Sequence, residues 1–280
     1  MMLSIFEYRF MQYALISAVM ASMVCGVIGV IIVEKKLVMM TGGIAHTSYG
    51  GVGLGYLLGF EPILGAFMFA VVAALGIGTI KNRNSGASDI VIALFWALGM
   101  ALGIFFIGLM PGYPPTITTY LFGNIISVTT FDLILMAILT AIVMAVILIF
   151  FQDWKAYLFD PDFTKLSGKK TGLLQNVLLI VIALSVVVLI RVVGIVLVIA
   201  LLTAPAATAR LVSRKLTSRI AWSVLFSLIY SVSGLLISTG IPIASGAVIV
   251  FFSIFSYVAV YIVTVLIKKH KMAVKKGANA

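Results

Sequence analysis

Charge is scarce in this chain. Of its 280 residues only 10% are Asp, Glu, Lys or Arg, against roughly 25% in a soluble domain. Just eight are acidic. There is one cysteine, Cys25. It excludes an internal disulfide and reads as a packing residue in an apolar run. There are only two histidines, His46 and His270, and no pattern of a nucleophile with a base or of clustered metal ligands that would mark soluble catalysis. No Walker A loop is present, so the chain does not bind ATP by that route. What the chain has in excess is apolar sequence: 63% of residues are hydrophobic, and mean hydropathy is +1.25. The apolar runs are long and continuous, with charges clustered between them. That is the layout of a helical membrane protein; a β-barrel would alternate. The net charge of +11 is read as basic membrane loops rather than as a nucleic-acid surface.

A helical span needs about 20 apolar residues. Candidates are 10–33, 43–59, 62–80, 90–110, 131–151, 173–190, 193–210, 219–239 and 246–267. The second is short and rich in glycine. The stretch 173–210 is too long for one span and is split at Arg191-Val192-Val193-Gly194. The first run lacks a basic leading segment and exceeds a signal-peptide core, so it is expected to be retained. Placing Lys35 and Lys36 in the cytoplasm puts 17 of the 19 basic residues on that side and leaves only Arg9 and Arg191 outside. The expectation is an all-α fold: a polytopic transmembrane helical bundle of about eight or nine spans. Its N-terminus is expected outside and its C-terminus inside the cytoplasmic membrane. Residues 1–280 are expected to form one transmembrane domain, with a cytoplasmic loop at about 152–172 and a basic tail at 268–280. Pro111, Pro114 and Pro115 open an outer segment whose apolar piece, 117–128, is too short to span.

Few residues in the spans carry chemistry. His46 lies in TGGIAHTSYGGVGLGYLLG; it reads as a metal ligand or as a histidine hydrogen-bonded at a helix interface. Asp89 opens a span as an N-cap or faces a path. Arg191 near the outer face reads as a structural residue snorkelling to headgroups, ahead of one that contacts substrate. Asn124 makes a turn or faces an entry path. Pro205 interrupts a span within LLTAPAATAR and frees a backbone carbonyl; Thr203 and Thr208 can re-satisfy such groups. That segment reads as a kinked packing helix or as a kink lining the pathway. In the inner loop, Asp160-Pro161-Asp162 reads as a helix start and Gly168 as its stop. Such a helix presents Phe159, Phe163 and Leu166, either to the interface or to a cytoplasmic partner. His270 stands among lysines and reads as solvated.

Taken in order, these pieces resemble the ABC-3 family of metal-importer permeases. The resemblance rests on the His46 segment with its glycine run, on Ser88-Asp89, and on Leu121-Phe122-Gly123-Asn124. It rests also on Phe159-Asp160 to Gly168, on Val193-Gly194 through Pro205-Ala206-Ala207-Thr208-Ala209, and on Pro242 with Ser245-Gly246. It implies a permease homodimer bound to a cytoplasmic ABC ATPase dimer and served by an extracytoplasmic metal-binding protein. The cargo would be a divalent ion, zinc or manganese. The chain itself would be no enzyme and hold no permanent cofactor, since ATP hydrolysis belongs to the partner. His46, Asp89, Asn124, Thr203, Pro205 and Thr208 would line the metal path. Phe159, Asp160, Asp162, Phe163, Leu166 and Gly168 would form the coupling element seated on the ATPase. Many members carry Asp four residues before the histidine; here Gly42 stands there, so another group supplies the acid or the substrate differs. Two His46 rings of a symmetric dimer could serve one site.

Three other readings fit less well. A stand-alone secondary transporter would show inverted repeats and buried acids. An intramembrane enzyme would need a paired constellation that a lone His46 does not make. An ABC permease for a metal chelate would need a larger cavity.

Overall fold

Nine long helices and two short ones make up the computed structural model, which describes residues 8–83, 88–112, 120, 121, 123, 125–240 and 243–277. In order they are α1 (Arg9–Glu34), α2 (Val38–Leu58), α3 (Pro62–Arg83), α4 (Ser88–Gly108), α5 (Thr130–Ile149), α6 (Phe151–Phe159), α7 (Pro161–Leu166), α8 (Thr171–Val193), α9 (Ile195–Val212), α10 (Leu216–Ser238) and α11 (Ser245–Gly277). A 3₁₀ turn, Ile125–Ser127, precedes α5. Asn124, Pro114, Pro115 and Pro242 lie outside the described residues. Eight of the nine long helices are long and apolar enough to cross a membrane. The exception is α2, which trades apolar side chains for glycines, Thr41, His46, Thr47, Ser48 and Tyr49.

That exchange is possible because α2 is wrapped by α3, α4, α8 and α9. Because lipid tails are as apolar as the side chains, no hydrophobic force drives helices together in a membrane, and close packing holds them instead. Gly51 of α2 and Gly65 of α3 meet backbone to backbone: a Cβ on Gly51 would stand 2.0 Å from the Gly65 carbonyl oxygen, and one on Gly65 2.1 Å from that of Gly51. On α4, Gly99 lies against the Thr47 backbone, and Gly103 against the ring and carbonyl of Tyr49. Thr47 Oγ1 donates to the carbonyls of both Gly43 (2.7 Å) and Phe95 (3.0 Å), fastening α2 to α4.

The span expected at 43–59 begins earlier, at Val38. The long apolar stretch divides where expected. Gly194 stands between α8 and α9 with φ 81°, a value that favours glycine. Gly123 backs onto this junction, where a Cβ would lie 2.3 Å from the Val193 carbonyl carbon. The loop 152–172 folds as two short helices rather than one. The basic tail is a helix at residues 268–277, continuous with α11. The whole helix, 33 residues, is about 50 Å long, longer than the ~30 Å hydrocarbon layer.

Ion pairs fix the two ends of the bundle. At the basic end, Arg219 of α10 donates to Glu34 of α1, and Lys169 pairs with Asp153 of α6. Lys35 Nζ donates to the Tyr157 carbonyl (2.6 Å) and stands 3.7 Å from the centre of its ring. At the opposite end, Arg191 donates from Nε to Asp132 (2.5 Å) and from NH1 to Glu61 (2.9 Å), above the Phe131 ring. Asp132 also closes a capping box with Thr129 at the start of α5. Arg191 is therefore the clasp joining α8, α5 and the α2–α3 loop, which is more than a snorkelling side chain.

Two outcomes are expected in detergent thermal unfolding. Gly51→Val should destabilise by about 1–3 kcal/mol through overpacking, while Gly108→Ala, with open space at its Cβ position, should be neutral or slightly stabilising. Arg191→Met should cost about 1–2 kcal/mol, because it strands the largely buried Asp132 while the exposed Glu61 stays hydrated.

Candidate functional site

Positions 42, 46, 49 and 56 follow one face of α2 by helical spacing. The face begins at Gly42, carries His46 in the middle of the helix and ends at Tyr56. Opposite its centre stands Trp96 of α4. The His46 and Trp96 rings stack with centroids 4.0 Å apart and planes 14° apart. His46 Nδ1 is buried and has no hydrogen-bond partner. A Cβ at Gly42 would lie 3.3 Å from the Trp96 ring and 3.9 Å from Ile199 Cδ1 of α9. The place of a side chain at position 42 is thus bounded by an indole and an aliphatic tip. His46 Nδ1 makes no interface hydrogen bond among the described residues, and the ring is held by stacking on Trp96.

Towards the end of the bundle that carries Arg191, the face opens into a cavity of about 440 Å³. Tyr49, Tyr56, Tyr120, Glu61 and Arg191 supply its polar lining. Tyr120 OH and Ser48 Oγ share a hydrogen bond (3.0 Å), and the Tyr49 and Tyr120 rings lie 4.9 Å apart. Tyr49 is 2% exposed, and its hydroxyl has no partner.

The remaining sequence candidates are distributed rather than gathered. Asp89 is exposed in the first turn of α4, where its carboxylate meets the positive end of the helix dipole. It lies about two turns from Trp96. On α9, Pro205 is buried and removes the amide that would serve the Leu201 carbonyl. Thr203 Oγ1 donates to Ile199 O (2.7 Å) and Thr208 Oγ1 to Ala204 O (2.7 Å). Neither hydroxyl reaches the carbonyl that Pro205 frees, so the expected repair is not the one observed. Thr203 lies one turn beyond Ile199, on the α2 side. Thr208 is buried and shares a hydrogen bond with Tyr230 OH of α10 (3.1 Å).

At the basic end the expected helix start and stop are in place. Asp160 caps α7, accepting from the Phe163 amide (2.9 Å), with Pro161 at its first position. Gly168 takes φ 78° just beyond its end. Phe159, Phe163 and Leu166 are all exposed, Leu166 at 86%. Asp162 is in the first turn of α7. Trp154 and Tyr157 anchor α6 in the bundle; burial pushes the Tyr157 phenol up from its usual pKa.

Sequence reading did not single out Trp96, Tyr49, Tyr120, Glu61 or Asp132. The acids carried a usable signal, since two of only eight stood at the outer ends of predicted spans. Trp96 carried none, because it stands among apolar residues.

The sequence profile of the ABC 3 transport family matches residues 7–264. An uncharacterized membrane protein of Synechocystis sp. is 36% identical over 256 residues, 91% of each chain. The manganese transport system membrane protein MntC of Listeria monocytogenes is 31% identical over 87% of each chain. Among solved structures, PsaBC from Streptococcus pneumoniae in complex with a Fab matches with a TM-score of 0.82, at 31% identity over 92% of each chain. The profile spans nearly the whole helical bundle, and the three likenesses each cover at least 87% of both chains: the chain belongs to the ABC 3 transport family.

Proposed function

We propose that this chain is the membrane-spanning subunit of an ABC importer that moves a divalent transition-metal ion, zinc or manganese, into the cytoplasm. The observation that carries the reading is His46: an imidazole in the middle of the wrapped helix α2, whose buried Nδ1 has no hydrogen-bond partner among the described residues, on a face leading into the 440 Å³ cavity. An ionisable side chain at that depth is costly unless it serves a pathway, and imidazole is a ligand for such ions. The Listeria relative is named for manganese transport. The cavity end would face outward and receive the ion from an extracytoplasmic binding protein; the basic end would face the cytoplasm.

A second copy of the chain would complete the site. Among the described residues no group of three or more His, Cys, Asp and Glu could hold a metal ion. In a symmetric homodimer two His46 rings could serve one ion. Asp89, Thr203, Pro205 and Thr208 would line or bend the route towards the cytoplasm, and Asn124 would belong to its entry.

Energy would come from a cytoplasmic ABC ATPase dimer, which leaves this subunit without catalytic work. The exposed Phe159, Phe163 and Leu166 form an apolar surface suited to a groove in that partner. Asp160, Asp162 and Gly168 set the ends of the helix that presents it. Lys35 ties α6 to the turn before α2, so movement of α6 and α7 would reach the helix that carries His46. Alternating access would follow from that movement.

Two results are expected from the permease co-purified with its ATPase and reconstituted in vesicles. His46→Ala should cut ATP-dependent uptake of the metal at least about tenfold, with the complex intact; unchanged uptake would remove His46 from the path. Leu166→Asp should abolish co-purification of the ATPase while the permease keeps its thermal stability, since the Leu166 side chain is almost wholly exposed.

A further inference from the structure

The acids of this chain can be located one by one, and none of those described stands near His46. Glu34 pairs with Arg219, and Asp153 with Lys169. Asp160 and Asp162 belong to the start of α7. Those four are at the basic end, as is Asp89, in the first turn of α4. Trp96 lies seven residues after Asp89 on α4, a rise of about 10 Å. Glu61 and Asp132 share Arg191 at the opposite end. The eighth acid, Glu7, lies outside the described residues. The middle of α2 therefore offers an imidazole and no described carboxylate.

The oxygen donors beside His46 are weak as well. Thr47 Oγ1 is engaged with two backbone carbonyls, and Ser48 Oγ donates to Ala45 O (2.6 Å). Position 42, one turn before His46 on the same face, has no side chain, and Trp96 closes over the gap at 3.3 Å from a Cβ. The indole also holds the imidazole flat against it, which fixes the ring plane and so the direction of its nitrogen lone pair.

Metal chemistry turns this donor set into a preference. Manganese favours carboxylate, carbonyl and water oxygens and lies at the weak end of the divalent series. Zinc is held well by imidazole and needs fewer ligands. We propose that the stacked His46–Trp96 pair, with Gly42 beneath it, makes this permease selective for zinc over manganese. This rests on the metal-importer reading above and departs from the manganese named for the Listeria relative.

The test is uptake of radioactive zinc and manganese, each supplied alone at equal free concentration, by the complete permease–ATPase complex in vesicles. Zinc should enter at least about tenfold faster than manganese. Gly42→Asp combined with Trp96→Ala restores room and a carboxylate at i and i+4 from the imidazole, and should lower the zinc-to-manganese ratio by about tenfold. Manganese uptake equal to or above that of zinc in the unaltered complex would overturn the selectivity while leaving a metal importer standing. Uptake of neither ion would overturn the importer reading and the selectivity together. Should the double variant fail to assemble, the ratio in the unaltered complex decides alone. An unshifted ratio in an assembled double variant would also overturn the proposal.

Discussion

Backbone-to-backbone contact along α2 is the constraint on which the rest of this structure depends. Gly51 against Gly65, and Gly99 and Gly103 against Thr47 and Tyr49, leave no room for a Cβ at those four glycines. That closeness lets a helix with an imidazole, hydroxyls and six glycines after position 41 sit in the middle of an apolar bundle. Without it, α2 would face lipid with polar groups that nothing there could satisfy. The same wrapping brings Trp96 onto His46 and positions Tyr49 at the mouth of the cavity.

The two ends of the bundle have different characters. The cavity end is tied by one arginine that serves two carboxylates from other elements. The basic end is tied by pairs that join α1 to α10 and α6 to the α7–α8 loop, with Lys35 between α1 and α6. The exposed apolar side chains of α6 and α7 stand on that second framework. A push on α7 would therefore be passed to the α1–α2 turn rather than absorbed locally. Lys36 in that turn adopts φ 54°, a backbone state uncommon for a residue with a side chain.

Much of this was legible in the sequence, for identifiable reasons. Eight of the nine long helices follow from apolar run length, and the division at Gly194 from one glycine in the right place. The start and stop of α7 follow from Asp160-Pro161 and Gly168, whose effects are local. What was not legible depends on residues far apart in the chain. Arg191 meets Glu61 and Asp132 across separations of 130 and 59 residues, and no local signal announces either partner. Trp96 lies 50 positions from His46 and looks like any aromatic residue in a span. The lysines after Ile267 read as a tail because charge ends a span; Lys is nevertheless a good helix former, and α11 continues through them. Pro205 was correctly seen as interrupting hydrogen bonding, but where Thr203 and Thr208 send their hydroxyls depends on rotamers that sequence does not reveal.

Whether His46 stands on the metal path is decided by X-ray absorption at the zinc edge of the intact permease–ATPase complex trapped with bound zinc. Imidazole nitrogen is expected in the first coordination sphere, with loss of that nitrogen signal in His46→Ala. A spectrum identical in the two proteins would contradict it.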